Sequence, residues 1–190
     1  MKRIAIFGSG RGSNAKNIIK YFKFHKNISI KLMVTNKSGA GIITVGKENK
    51  IPTLIIEDHK QDLNDKILKT LTENLIDFVV LAGFLLKIPS TLINKFPNCI
   101  INIHPALLPK YGGKGMYGIN VHKAVLKNNE TVSGITIHFV NEDYDKGEII
   151  FQAKCSVLPN DSPKLLSKKI QKLEHQFYPI IIEKLITNEH

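Results

Sequence analysis

From the amino terminus to Leu81, short runs of aliphatic and β-branched residues alternate with longer segments whose apolar positions recur every three or four residues. Arg3–Phe7, Ile28–Val34, Thr53–Ile56 and Asp77–Leu81 read as strands, and Ser13–His25, Gly41–Asn49 and Asp62–Asn74 read as helices. This strand–helix–strand rhythm predicts a parallel sheet covered on both faces. Cys99–Ile103 reads as a further strand, Gly112–Gly118 as a loop too rich in glycine for regular structure, and Ile119–Lys127 as a helix. Along Thr131–Val140 the alternation sets Ile135, Ile137 and Phe139 on one side and Thr136, His138 and Val140 on the other. Glu148–Val157 follows after a link too short for a helical crossover, so these two strands are expected to be antiparallel. The last helix starts at Asp161-Ser162-Pro163, a polar cap followed by proline at the first helical position, and runs to about Leu185. The expected fold class is α/β: one domain over 1–190, built on a mostly parallel twisted sheet of about seven strands with helices on both faces.

Composition narrows the function classes. At 190 residues and 43% hydrophobic content, the chain suits a single core. Its longest apolar run, Phe78–Leu86, is interrupted by Gly83 and falls far short of the roughly 20 residues that span a bilayer. Met1-Lys2-Arg3 leads directly into the first strand, without a signal-peptide pattern, and the expectation is a soluble cytoplasmic protein with no membrane partner. Cys99 and Cys155 lack metal or redox spacing and read as buried fillers, and the seven histidines form no ligand cluster, so no metal is expected. The net charge of +11 comes from lysines scattered along the chain, which suits a solvated basic surface better than a nucleic-acid face.

Candidate chemistry begins at Asn102-Ile103-His104-Pro105, where a strand ends. Residues two apart on a strand share a face, so a carboxamide donor and an imidazole stand side by side. That pairing suits attack on a carbonyl-like carbon, with one group steadying an oxyanion while the other handles a proton. Gly8-Ser9-Gly10-Arg11-Gly12-Ser13-Asn14 joins the first strand to the first helix, where backbone N–H groups favour an anion. It lacks both the dinucleotide fingerprint and a Gly-Lys-Ser/Thr, so a single phosphate held by Gly12, Ser13 and Asn14 fits best. Asn141–Gly147 offers three acids that could face His104, and Glu174 falls among the inward positions of the last helix, where a carboxylate needs a donor.

Taken in order, Gly12-Ser13-Asn14, Val80-Leu81-Ala82-Gly83-Phe84, Asn102 through Tyr111, His138-Phe139-Val140, Asp145-x-Gly147, Gln152-Ala153-Lys154 and Glu174-His175 resemble the folate-dependent formyltransferase family, in particular its glycinamide ribonucleotide branch. The resemblance implies the formyltransferase fold and transfer of the formyl group of 10-formyltetrahydrofolate, the co-substrate, to the amine of glycinamide ribonucleotide in purine (IMP) biosynthesis. It implies a catalytic trio of Asn102, His104 and Asp145, with Asp145 keeping His104 charged and aligned. Gly12, Ser13 and Asn14 would hold the ribonucleotide phosphate and Glu174 its ribose hydroxyls. Folate would meet Asn102, the pterin would lie along Leu85, Leu86, Lys87 and Ile88, and Lys60 would meet the glutamate tail. Relatives carry Met-Arg-Ile-Leu where this chain has Leu-Leu-Lys-Ile, so one positive charge is displaced by a position. The alternatives are a formyltetrahydrofolate hydrolase with water as acceptor, a methionyl-tRNA formyltransferase, for which the length leaves no RNA-binding barrel, and, outside enzymes, a basic polyanion-binding module. The partners expected are the two small molecules alone, with the protein a monomer or homodimer. A cis peptide at Leu108-Pro109 is expected where the loop turns sharply after Pro105.

Overall fold

The computed structural model describes residues 1–56 and 62–187. In chain order the elements are β1 (Lys2–Phe7), α1 (Ser13–Phe22), β2 (Ile28–Thr35), α2 (Gly41–Glu48), β3 (Thr53–Ile55), α3 (Asp62–Glu73), β4 (Phe78–Leu81), α4 (Ser90–Lys95), β5 (Ile100–His104), α5 (Ile119–Lys127), β6 (Val132–Phe139), β7 (Ile149–Ser156) and α6 (Pro163–Thr187). The strands form one seven-stranded sheet in the order β3-β2-β1-β4-β5-β6-β7. Pairing is parallel from β3 through β5 and antiparallel for β5 with β6 and β6 with β7. This is the α/β architecture expected from the sequence. Among the described residues, no helix is long and apolar enough to cross a membrane.

Strand alternation divides the core in two. Ile4 and Ile6 of β1, Phe78 and Val80 of β4 and Ile101 and Ile103 of β5 pack with α1, α2, α5 and α6. Ala5, Phe7, Val79, Leu81 and Ile100 point the other way, against α3 and α4. Asn102 and His104 share the face of Ile100, so the last turns of β5 present polar groups there. Chain order reverses across β1, which pairs with β2 on one side and β4 on the other. The loops leaving β1 and β4 therefore diverge and open a crevice, the usual ligand position in such sheets.

Helix α6 closes the first face despite Pro179 within it. Proline has no N–H, which leaves the His175 carbonyl, four residues earlier, without its helical donor. Asn17 on α1 fills that need, its Nδ2 donating to the His175 oxygen at 2.7 Å. Beside it the buried Tyr178 hydroxyl donates to the Leu81 carbonyl at 2.8 Å, tying α6 to the end of β4.

The structure corrects several boundaries. α1 stops at Phe22 instead of His25, because the His25 N–H turns back to the Phe22 carbonyl and its ring accepts from the Asn27 N–H. α4, six residues long, is too short to show a helical period and escaped the reading of the sequence. Cys99 and Cys155 are half-buried rather than buried. Leu108-Pro109 is cis.

Removing the Asn17 amide should destabilise the fold by about 1 kcal/mol, the usual net worth of such a bond. We expect Asn17→Ala to lower the urea midpoint, and the loss to shrink when Pro179→Ala restores a helical donor. Equal losses in the two backgrounds would place the contribution of Asn17 elsewhere.

Candidate active site

The crevice widens into a cleft of about 770 Å³ lined by the loop after β1, the strip after β4, the end of β5 and the segment around Asp145. A shallower groove of about 1010 Å³ adjoins it at Ser9 and Arg11, but the titratable cluster lies in the cleft.

At the β5 end, antiparallel pairing sets Asn102 opposite His138 and His104 opposite Thr136. Asp145 reaches this face from the turn between β6 and β7, where it adopts a left-handed backbone with φ of 55°. The same turn needs Gly147, because a Cβ there would collide with the Phe139 carbonyl oxygen. The Asp145 Oδ2 accepts the Gly113 N–H at 2.8 Å and stands 3.5 Å from His104 Nδ1. Its Oδ1 lies 3.6 Å from His138 Nε2 and 3.5 Å from Asn102 Nδ2, electrostatic contacts longer than a good hydrogen bond.

Neighbours fix the ring tautomers. His104 Nε2 lies 2.8 Å from the Tyr111 carbonyl oxygen, an acceptor only, so this nitrogen carries a proton and donates. In the neutral ring Nδ1 is then the basic nitrogen, turned toward Asp145. His138 Nδ1 likewise donates to the Phe139 carbonyl at 2.7 Å. In the neutral ring, that leaves His138 Nε2, 3.2 Å from Asn102 Nδ2, to accept from the amide, which turns the Asn102 nitrogen toward the carboxylate.

His104 is 3% exposed, and its burial lowers the pKa below the ordinary value. The Asp145 charge and the Tyr111 carbonyl oppose that pull without overcoming it. The expectation that Asp145 holds His104 charged is therefore corrected: in the unliganded protein burial wins and the ring favours neutrality. For Asp145, burial alone would raise the pKa; its contacts with His138, His104 and the Gly113 N–H outweigh it and lower the pKa.

The loop behind the cluster is pinned by Thr136. Its hydroxyl donates to the Ala106 carbonyl at 2.7 Å and accepts the Leu108 N–H at 2.9 Å. Gln152 Nε2 donates to both the Leu108 carbonyl and Thr136 Oγ1. Neighbouring strands thus hold the segment that carries Tyr111 and, through it, His104.

At the other end of the cleft, Gly12 precedes α1 with φ of 78°, a conformation that favours glycine, and a Cβ there would press on the α2 backbone at Ile42. Ser13 and Asn14 open the helix beyond it, and Asn14 Nδ2 donates to Glu174 Oε2 at 3.0 Å. Glu174 has a raised pKa because burial outweighs this bond. The inward carboxylate expected on the last helix thus has its donor. Leu85, Leu86, Lys87 and Ile88 line the cleft wall between the two ends. Lys60 lies outside the described residues. Among the described residues, no group of three or more His, Cys, Asp or Glu side chains is placed to hold a metal ion.

The sequence reading missed His138, the Tyr111 carbonyl and the Gly113 N–H as site components. His138 carried a signal, since alternation set it on the polar face with Thr136. Its position opposite Asn102 depends on register, which alternation does not give.

Comparisons with known proteins agree with this geometry. A profile of the formyl transferase family matches residues 2–182. The chain is 42% identical to the chloroplastic phosphoribosylglycinamide formyltransferase of Arabidopsis thaliana, an alignment covering 95% of this chain and 64% of the plant protein. It thus spans just under two thirds of that relative's length. It is 34% identical to the phosphoribosylglycinamide formyltransferase of Bacillus subtilis, over 98% of this chain and 95% of the other. The crystal structure of phosphoribosylglycinamide formyltransferase from Bacillus halodurans superposes with a TM-score of 0.90 at 35% identity, over 100% of this chain and 97% of that one.

Asp145→Asn removes an influence that raises the His104 pKa, so the His104 ring titration followed by NMR should move to lower pH. An unchanged or higher midpoint would remove Asp145 as its partner. The folded pKa of His104 already lies below its unfolded value of 6.5, so this group contributes stability above that value and loses it as pH falls below. The substitution should deepen that acid loss.

Proposed function

The chain belongs to the formyl transferase family, and from that premise we propose that it transfers the formyl group of 10-formyltetrahydrofolate to the amine of glycinamide ribonucleotide, a step of purine biosynthesis. The observation that carries this reading is one cleft with a phosphate-type loop at one end and an amide, an imidazole and a carboxylate at the other. The ribonucleotide phosphate lies on the backbone N–H groups of Gly12, Ser13 and Asn14, where the α1 dipole favours an anion. Glu174 takes its ribose hydroxyls. Folate lies along Leu85–Ile88, with its formyl group beside Asn102. As part of the same reading, the enzyme works in the cytoplasm, needs no metal and acts on small molecules alone.

In the reaction the amine nitrogen attacks the formyl carbon, the C=O electron pair moves to oxygen, and a tetrahedral oxyanion forms. Asn102 Nδ2 donates to that oxygen. His104, neutral at rest with Nε2–H held by Tyr111, takes the proton of the attacking amine at Nδ1, where Asp145 stabilises the resulting charge. The carbonyl re-forms, the bond from the formyl carbon to N10 of the folate breaks, and His104 returns the proton to N10. Burial of His104 leaves the ring neutral and free to receive the proton, and it favours the second half, because a ring that resists charge gives its proton back readily. No covalent enzyme intermediate is required. Holding two reactants in line is worth up to roughly 7–11 kcal/mol in the best cases.

The test is release of tetrahydrofolate from 10-formyltetrahydrofolate by the purified protein, with and without glycinamide ribonucleotide. We expect release only with the ribonucleotide; release in its absence would make water the acceptor and replace this reading by the hydrolase. Asn102→Ala should cost at least about 100-fold in turnover, the usual price of one oxyanion donor. Near-normal turnover would remove Asn102 from that role.

A further inference from the structure

Ser9 belongs to neither set of contacts proposed for the two substrates, yet it is the residue through which their binding segments touch. It lies three residues before Gly12, at the point where the loops after β1 and β4 diverge, and is 6% exposed. Its backbone N–H donates to the Gly83 carbonyl at 3.0 Å. Its hydroxyl accepts the Leu85 N–H at 3.0 Å and donates to Asn36 Oδ1 at 2.5 Å. A hydroxyl has a single proton. With that proton committed to Asn36 at the end of β2, the serine lone pairs face Leu85.

Further on the buried Ile88 anchors the strip after β4, but at Leu85 its backbone has little else to hold it. Its last sheet bond is from the Ala82 N–H to the Phe7 carbonyl at 2.8 Å. Gly83 follows with φ of 75° and open space where a Cβ would stand, so packing does not fix the chain there. Among the described residues, the backbone hydrogen bonds made between Gly83 and Ile88 both go to Ser9. Phe84 adds an edge-on ring contact with Phe7, with centroids 5.2 Å apart, which anchors the side chain but leaves the Leu85 N–H to the serine.

We propose that Ser9 is a positioning residue that makes the binding of ribonucleotide and folate interdependent. The proposal rests on the substrate assignment above. An anion on the loop at Gly12–Asn14 restrains the backbone that carries Ser9, and the restrained hydroxyl fixes Leu85, where the folate strip begins. Folate lying on the strip restrains Ser9 in return. Linkage requires the two effects to be equal, because each ligand changes the other's affinity by the same factor. The discrete element that both ligands bias is one hydrogen-bonded residue, and no chain of packed side chains between the sites is needed.

The experiment measures tetrahydrofolate affinity by calorimetry, with and without saturating glycinamide ribonucleotide, so that no chemistry intervenes. In the wild type the ribonucleotide should tighten folate binding about three- to ten-fold, the range one hydrogen bond can carry. In Ser9→Ala that ratio should fall close to one, while each substrate still binds by itself. Asn36→Ala, a change at a half-exposed strand end, frees the hydroxyl to rotate and should give an intermediate ratio. This second variant keeps the test decisive if Ser9→Ala folds poorly. A general loss of structure would weaken both affinities without abolishing their ratio, so the ratio separates positioning from stability. A wild-type ratio of one, or a wild-type ratio retained in both variants, overturns the proposal. Transfer assayed in parallel keeps the two ideas apart. Ribonucleotide-dependent transfer with coupling intact in the variants leaves the function standing and removes only the role of Ser9. Absence of transfer in the wild type removes both.

Discussion

The register of β6 against β5 is the constraint on which the rest of the site depends. It places Asn102 opposite His138 and His104 opposite Thr136, while Ile101, Ile103, Ile135 and Ile137 fill the opposite core. A slip of β6 by one residue would turn its His138 and Thr136 into that apolar core, and an unpaired buried polar group costs about 1–3 kcal/mol. His138 and Thr136 would be displaced together, leaving Asn102 and His104 without the partners opposite them. The hydrophobic pattern that stabilises the sheet therefore also fixes the polar geometry, and a separate scaffold for the site is not needed.

Within that frame, burial and charge act against each other on His104. Dehydration disfavours the imidazolium, while Asp145 and the Tyr111 carbonyl favour it. Neither influence is extreme, which leaves the ring able to change protonation during a reaction. Asp145 is held ionised by several donors at once, so it can lend its charge to the ring without taking the proton. The neutral tautomer is set by a backbone carbonyl whose own position traces through Leu108 to Thr136 and Gln152. Residues remote from the chemistry thus decide which nitrogen is basic.

Most of the fold was legible in the sequence because its strands are buried on both faces or alternate strictly. Ile4 to Phe7 and Phe78 to Leu81 read as continuous apolar runs, as doubly covered parallel strands do. Thr136 and His138 showed the polar side of β6 before any partner strand was known. The short helix α4 left no period to detect, and the end of α1 depends on a local turn at His25 that interrupts no hydrophobic pattern. In the site, Asn102 and His104 were legible because two residues on one strand must share a face. Asp145 was one of three acids in its turn, and only the left-handed backbone at that position selects it to face the imidazoles. The importance of Tyr111 and Gly113 lies in main-chain atoms, which residue identity does not announce. The neutral resting state of His104 followed from the depth of its burial, a quantity that no local pattern carries.

The contact between Asn14 and Glu174 joins residues 160 positions apart, one at the start of the first helix and one on the last. During synthesis Asn14 emerges long before Glu174. Until α6 docks on α1, the Asn14 amide at the start of the first helix lacks its carboxylate partner. The seam between α1 and α6 is thus completed only once every strand of the sheet has been made.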